Sequence, residues 1–453
     1  MRYLIGLDIG TSSVKGVLME ETGRVFASAK ELFFYQKPRS GMVELEPFQY
    51  LEACCGVVKK LVKESPTGNI AAICASSASG NLLLIDEKGE PLTNIIGWQD
   101  ERGTSESKEL LEEHGIDMEQ LYEQIGWPFM ERSFPLAQLC YLKKHQPELL
   151  KQCGQVCMST EYLYHAWTGK WGISNSAGTP FYLIDQKKGI YIESLLNALG
   201  LRGKQVPPVL PSGSVLGEVQ EDMAEALGVT PGTPVVLGTF DHPSAARGVG
   251  ILDEGEMLLS CGTSWVVFMP VSDRRKGISA KVLVDPFLAP KGNWAVMASV
   301  TSLSERINMY MKRYIGSGED KFQKLSKLAA ESVPGANGLH IDMSEEPKDG
   351  RIQSFEQRDI ARAIMEGVVY MLKEKLDQLK EQGITANKAV MVGGPSEDPV
   401  WRVLIEEICG IPVRVVHGVY AGAVGAAVMA GIGVGIYKDE HDAAHVANIH
   451  LEG

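Results

Sequence analysis

Two aspartates stand where a carboxylate could act on a ligand. Asp8 lies in "GLDIGTSSVKG" and Asp241 in "LGTFDHPSAARG", each at the end of an apolar, strand-like run. Just beyond Asp8 come Gly10, Thr11 and Ser12, and the same tripeptide recurs as Gly262, Thr263 and Ser264 inside "LLSCGTSWVVF". Such a turn between strands can aim several backbone N–H groups outward, with glycine tolerating positive φ and the hydroxyls adding donors; a concave set of this kind binds anions. Two of them in one chain point to a polyphosphate gripped from two sides. Asp8 beside a phosphate would hold Mg2+ through water, because hard cations on phosphates keep several waters. Asp241 is placed to take a proton from an attacking hydroxyl in phosphoryl transfer, where positioning and charge stabilisation do most of the work. Taken alone, Asp8 could instead cap the turn and Asp241 a helix.

The segment "GWQDER", residues 97–102, sets an indole, an amide, two carboxylates and a guanidinium at the end of a strand. That suits a polyhydroxylated ligand: Trp98 offers a flat apolar wall, while Asp100 and Arg102 offer directional hydrogen bonds. A solvated charged turn is the alternative. His242, next to Asp241, is a candidate substrate contact. No G-x-x-x-x-G-K-[ST] occurs and no G-x-G-x-x-G opens a helix after a strand, so neither a P-loop nor a dinucleotide fingerprint supplies the phosphate site. "GIGVG" at 431–435 follows a helix and reads as its closing turn.

The elements that must position these residues alternate in the α/β manner. "YLIGLDIG", "VKGVLME" and "RVFASAK" form a three-strand meander, followed by a helix near 47–64, the strand "IAAICAS" and a hairpin turning at Asp86 to Gly89. "PPVLPSGSVLGEV" at 207–219 reads as a surface connector. The pattern restarts near 234 with "PVVLGTFDHPSAARGVG", read as strand, polar turn and small-residue helix, and "GEMLLSCGTSWVVFMP" is a hairpin whose turn is the second Gly-Thr-Ser. Ile360, Ile364, Gly367, Val368, Met371, Leu372, Leu376 and Leu379 recur at helical spacing and mark a long helix ending at Gly383. A strand "KAVMVGG", a helix "VWRVLIEEICG", a strand "IPVRVV" and a small-residue helix complete the run. Two α/β lobes are expected, residues 1–238 and 239–453.

Bulk properties agree with a small-molecule partner. The 453 residues carry a net charge of −13 with no Lys/Arg block, which argues against nucleic acid or an anionic membrane surface. A phosphate would therefore be held by local N–H groups and a metal. The eight cysteines show no paired C-x-x-C sets and read as reduced core thiols of a cytoplasmic protein. Asp8 interrupts the apolar start, so no secretory signal is expected. The uncharged stretch between Arg414 and Lys438 is long enough for a membrane span, but its Gly/Ala content reads better as a helix packed tightly in a core.

In order and spacing these pieces resemble the FGGY carbohydrate kinases, most closely the xylulose-kinase-like branch, within the actin-like ATPase superfamily. "IGLDIGTSSVKGVLME" resembles the N-terminal phosphate turn, "IIGWQDER" the substrate segment, "GTPVVLGTFDHPSAARGVG" the segment carrying the catalytic aspartate, and "LLSCGTSW" the second phosphate turn. "STEYLYHAWTGKWGISNSAGTPFYLID" is similar to the mid-lobe segment, and "VMVGGPSEDPVWRVLIEEICGIPV" with "AGAVGAAVMAG" to the adenosine-binding region. The resemblance implies two ribonuclease-H-like lobes with a catalytic cleft between them. It implies that Asp241 is the general base, Asp8 the metal-side aspartate and Asp100 a sugar-hydroxyl ligand. Thr11 and Thr263 would serve the phosphate turns, and Gly393 and Gly394 the nucleotide.

Three departures bear on substrate and nucleotide. "SSASGN" stands where the family has larger polar residues, so Ser77 and the candidate contact Ser79 imply a roomier or differently hydrogen-bonded pocket. "IDMSEEPKDGRIQS" replaces a Gly-Glu-Arg-x-x-Pro stretch, and Pro395 replaces the third glycine of the nucleotide turn. The expected activity is ATP- and Mg2+-dependent phosphorylation of a small sugar or polyol, with a homodimer left open. The alternatives are an actin-like ATPase driving a protein partner, which would not need Trp98, Asp100 and Arg102, and a non-catalytic sugar sensor.

Overall fold

The computed structural model describes residues 1–128, 134–262, 264–300, 303–318, 320–346, 351–416 and 420–446. By packing, Met1–Leu252, Leu283–Pro290 and Tyr420–His450 form one compact unit, and Asp253–Val282 with Lys291–Val419 make up most of the other. The position 238/239 falls inside a strand of the first unit, which continues to Leu252.

The first unit is built on a six-stranded sheet: β1 (Tyr3–Ile9), β2 (Ser13–Glu20), β3 (Val25–Leu32), β4 (Ile70–Ser77), β5 (Val215–Glu218) and β6 (Pro234–Phe240), in the order β5-β6-β4-β1-β2-β3. The meander β1-β2-β3 is antiparallel, as its short turns require, and β1, β4 and β6 run parallel. β1 is apolar almost throughout because both its faces are covered. Tyr3, Ile5, Leu7 and Ile9 pack with Tyr50, Val57 and Leu61 of helix α1 (Pro47–Glu64), which begins at a proline as a helix tolerates. Leu4, on the opposite face, packs with Ala423, Ala426 and Ala427 of a helix from far along the chain. Each fully buried Leu or Ile in these layers contributes about 1.5–3 kcal/mol. The period-2 alternation of a strand then sends Leu4, Gly6 and Asp8 to the same face.

Helix α2 (Ser159–Thr168) and helix α3 (Asp241–Gly248) belong to this unit, as does α4 (Ala421–Gly433), the small-residue helix. Its composition follows from how close it lies: a Cβ on Gly6 would stand 1.9 Å from the Ala423 carbonyl oxygen, and one on Gly425 1.8 Å from that of Ser244. Backbone meets backbone here, so only glycine fits. Among the described residues no helix is long and apolar enough to cross a membrane.

Two expectations are corrected. The stretch 207–219 is more than a connector: Val209–Leu210 pairs with Ile173–Ser174, and β5 is the edge strand beside β6. Its prolines lie outside the strand residues that pair with β6, where proline is tolerated. The strand at 234 completes the first sheet by pairing with β4, and the second sheet restarts at Gly255. An apolar run declares a strand but not the distant partner it joins.

The second unit repeats the plan. β7 (Gly255–Cys261), β8 (Trp265–Val271) and β9 (Trp294–Val300) form an antiparallel meander. β10 (Ala386–Gly393) and β11 (Val413–Val415) run parallel to β7, in the order β11-β10-β7-β8-β9. The long helix Gln357–Glu381 precedes β10, as the apolar spacing predicts, with Ile360, Ile364, Val368 and Leu372 buried. This is the mixed α/β architecture expected, with one large sheet at the centre of each unit and small two-stranded pairings beside it in the first.

Candidate active site

Ile9, Ser77 and Phe240 stand in register at the C-terminal ends of the parallel strands β1, β4 and β6. This is the edge where open α/β sheets take ligands. Asp8 is the penultimate residue of β1, on the face covered by α4, and a Cβ on Gly422 would come within 2.6 Å of its carboxyl carbon. Asp241 is the first residue of α3, directly after β6, so the polar turn expected between strand and helix is absent. Its Oδ1 accepts the His242 amide at 2.7 Å. The two carboxylates feel each other: burial first, and then the charge of Asp241, push the Asp8 carboxyl up to about 7, against the pull of Lys15 opposite in the hairpin. Asp241 is also pushed up by burial, opposed by the His242 charge and amide.

Carboxylates that repel each other where water is scarce suit a divalent cation. Among the described residues no group of three or more His, Cys, Asp or Glu side chains could cage a metal. Magnesium does not need one, since it is commonly held by one or two carboxylates plus substrate phosphates.

The twin turns both close hairpins. In the first the Gly10 amide donates to the Ser13 carbonyl at 3.0 Å; in the second the Gly262 amide donates to that of Ser264 at 3.1 Å. Thr263 lies outside the described residues. Positive φ is not the reason for either glycine: neither Gly10 nor Gly262 adopts it. Among the described residues an added Cβ at either would meet nothing nearer than a carbonyl 3.7 Å away, so what these glycines keep is open space above the amides. Thr11 and Ser12 are exposed. The second turn lies beside the third candidate, because Cys261 pairs with Gly393. Gly393 has φ of 100°, and its Cβ would strike the Cys261 carbonyl oxygen at 2.1 Å, while among the described residues nothing lies within 4 Å of a Cβ on Gly394. Pro395 sits in the first turn of the short 3-10 helix Gly394–Glu397, where its missing N–H is no loss.

The 97–102 turn is not a solvated loop. Asp100 is fully buried; its Oδ2 accepts the Val43 amide at 2.7 Å, and both its oxygens are engaged by the Arg102 guanidinium at 2.8 Å each. Arg102 also reaches Glu44 at 2.8 Å, and its guanidinium lies 5.9 Å from the centre of the Tyr141 ring. Trp98, by contrast, is 38% exposed. The structure thus brings Asp8, Asp241, His242 and the Gly10–Ser12 turn to one sheet edge. The bonds of Asp100 and Arg102 run instead to the 43–44 segment and Tyr141.

Ser79 follows β4 and is buried, its hydroxyl 3.4 Å from that of Ser77, which in turn bonds Thr160 of α2. The serines of "SSASGN" are thus tied to one another and to α2 by a chain of hydroxyls.

An aromatic cluster beside Asp241 escapes sequence reasoning. The Phe240 ring centre lies 5.7 Å from His242 and 5.8 Å from Trp127, Trp127 4.8 Å from Phe134, and Phe134 stacks on Tyr182 at 5.1 Å. Phe134 also borders Gly80, whose Cβ would meet its ring at 2.7 Å. These residues come from four segments of the chain; the only local hint is the glycine-aromatic pair Gly126-Trp127.

The model of the FGGY family of carbohydrate kinases, N-terminal domain, matches residues 3–248, and that of the C-terminal domain matches residues 334–434. The xylulose kinase of Bacillus subtilis (strain 168) is 25% identical over 98% of this chain and 91% of its own. The L-xylulose/3-keto-L-gulonate kinase of Escherichia coli (strain K12) is 28% identical over 98% and 90%. The crystal structure of xylulose kinase from Rhodospirillum rubrum superposes with a TM-score of 0.87 at 26% identity, covering 97% of this chain and 92% of that one. With one model spanning more than half of the chain and the fold shared throughout, the chain belongs to the FGGY family of carbohydrate kinases and is a sugar kinase.

Proposed function

We propose that the chain transfers the terminal phosphoryl group of ATP to a hydroxyl of a small, xylulose-like sugar or polyol, with Asp241 as general base. The observation that carries this reading is the pair Asp8 and Asp241 at one sheet edge beside the Gly10–Ser12 turn, both carboxyls held above their usual range. A carboxylate made more basic by burial is matched to accepting the proton of a sugar hydroxyl as that oxygen attacks in line. The names of the relatives favour a keto sugar.

Asp8, with Asp241 near it, would hold Mg2+; when bound, the ion neutralises charge on the nucleotide phosphates. The backbone amides of Gly10, Thr11 and Ser12 would meet the phosphate from the sugar-binding lobe, residues 1–238. Gly262, Thr263 and Ser264, with Gly393 and Gly394, would do so from the nucleotide-binding lobe, residues 239–453. Open space above the glycines lets a phosphate approach the amides, and aimed donors of this kind are usually the largest catalytic contribution. Trp98, Trp127 and Phe240 would supply apolar faces for the sugar, and Ser79, His242 and Arg102 its polar contacts. Asp100 would act by orienting Arg102. The reaction would be cytoplasmic.

A panel of pentuloses, hexuloses, aldonates and polyols in a coupled ADP-release assay identifies the acceptor. With it, Asp241→Asn is expected to lower kcat by about 10²-fold or more while sugar affinity stays within a few-fold. Turnover near wild type in that variant would remove Asp241 from the mechanism.

A further inference from the structure

The strand that delivers Asp241 loses its register just before it ends. β6 pairs with β4 up to Leu237, and the register shifts before Phe240 meets Ser77. Irregularities of this kind re-aim side chains and leave ladder amides in need of other partners. Here two side-chain hydroxyls take them. The Gly238 amide donates to the Tyr164 hydroxyl at 2.9 Å, and the Phe240 amide donates to Ser176 Oγ at 3.3 Å. Ser176 in turn donates to Oδ2 of Asp285 at 2.9 Å.

Both Ser176 and Asp285 are fully buried, and among the described residues Asp285 Oδ1 has no hydrogen-bond partner. An isolated buried carboxylate with one oxygen unmatched is expensive to keep. Yet the segment carrying it is firmly held. The Val284 amide donates to the Gly126 carbonyl at 2.6 Å, and Arg247 of α3 donates to the Phe287 carbonyl at 2.7 Å with its guanidinium 4.4 Å from the centre of the Phe287 ring. The same Arg247 donates to Pro243 within its own helix at 3.1 Å. Segment 283–290 therefore grips the Asp241-bearing element at two points: through Ser176 just ahead of Asp241, and through Arg247 at the far end of α3.

We infer that Asp285, acting through Ser176, is a positioning residue that fixes the place of Asp241 for proton transfer. A carboxylate acceptor obliges the Ser176 hydroxyl to donate to it, which leaves the serine lone pairs for the Phe240 amide. The turn from β6 into α3 is thereby set from outside the ladder that the register shift has interrupted. Burial, opposed by the Ser176 hydrogen bond and the Arg247 charge, pushes the Asp285 carboxyl up to about 7. Its hold on Ser176 is therefore retained in either protonation state, since the neutral acid still has an accepting oxygen. This inference rests on Asp241 being the base.

The test measures kcat, sugar KM and sugar affinity for Ser176→Ala, Asp285→Ala, Asp285→Asn and the Ser176/Asp285 double alanine variant. Ser176→Ala is also made in the Asp241→Asn background. Each of Ser176→Ala and Asp285→Ala is expected to lower kcat about 5- to 10-fold, the cost of a slightly misplaced base, with sugar KM and affinity within about twofold. The double variant should be no worse than either single one, Asp285→Asn should recover most of the loss, and Ser176→Ala should cost nothing further once Asp241 is Asn. Wild-type kcat in Ser176→Ala, multiplying losses in the double variant, or a full further loss beside Asp241→Asn would each overturn the inference. If Asp285→Ala does not fold, Ser176→Ala and Asp285→Asn decide alone. An active Asp241→Asn sinks the assignment of the base; an inactive Asp241→Asn beside a fully active Ser176→Ala sinks only the positioning chain.

Discussion

The two units share a strand plan and differ in what they do with charge. Among the described residues whose carboxyls shift clearly, Asp8, Glu161, Asp241 and Asp285 are pushed up, and all four belong to the first unit. In the second unit Glu254, Asp273 and Asp359 are pulled down: by Lys276, by Arg275 and by the Ser332 hydroxyl, respectively. Glu21, Asp86, Glu106 and Asp439 of the first unit are pulled down as well, so what sets that unit apart is the four carboxyls it keeps desolvated. Perturbed groups of that kind gather where chemistry is done. What the second unit offers at the corresponding edge is shape: Gly262, Gly393 and Gly394 clear a floor of backbone. One sheet edge is thus built for charge and the other for close approach.

That contrast can be broken most severely at Gly393. Its φ of 100° and the Cys261 carbonyl oxygen 2.1 Å from a would-be Cβ leave no relaxed place for alanine. Gly393→Ala is expected to destabilise the protein by roughly 3 kcal/mol and to raise the KM for ATP, seen in chemical denaturation and steady-state kinetics. Gly262→Ala, with 3.7 Å of clearance, should leave stability nearly unchanged. Equal destabilisation of the two variants would mean that the second edge is not organised around Gly393.

A milder break applies to the first edge. Gly422 lies inside α4, where alanine would favour a helix by about 1 kcal/mol on propensity. Its Cβ would nonetheless reach the Asp8 carboxyl carbon at 2.6 Å. Gly422→Ala is therefore expected to displace Asp8 and lower kcat between about 10- and 100-fold, with thermal stability held within a few degrees. A variant that loses stability but retains kcat would show that Gly422 serves packing and not the carboxylate.

The local parts of this site can be read from the chain, and the non-local parts cannot. Asp8, the Gly10–Ser12 turn, the meander and the long helix to Glu381 follow from alternation, helical spacing and turn residues within single windows. The seating of α4 on β1 joins residues some 400 positions apart, and nothing near Asp8 announces that its neighbour is Gly422. The same holds for β6, whose apolar run fits either sheet, and for the cluster of Trp127, Phe134, Tyr182 and Phe240. Asp100 shows a subtler limit: its residue type says hydrogen bonding, but only the fold says that Arg102 and Val43 use its oxygens. Asp285 carries no motif at all, and nothing in the mid-lobe segment marks out Ser176 among its neighbours.

The smallest effect tests the charge side of the comparison away from the proposed chemistry. Glu161 of α2 is buried, and desolvation pushes its carboxyl up to about 7 against the hydrogen bond from the Met158 amide at 3.0 Å. Its ionisable neighbours Cys157, Tyr164 and Tyr191 are themselves pushed upward by burial and stay protonated through neutral pH. Between about pH 4.5 and 7 the folded chain binds a proton at Glu161 that the unfolded chain has released, so stability falls as pH rises through that window. Glu161→Gln keeps an oxygen for the Met158 amide and removes the titration. Relative to wild type, the variant should gain about 1 kcal/mol per pH unit between pH 5 and pH 7 in denaturant unfolding, and the gain should level off above pH 7. A difference that does not change with pH would mean that Glu161 is ionised throughout, and that the first unit carries less unmatched charge than its burial implies.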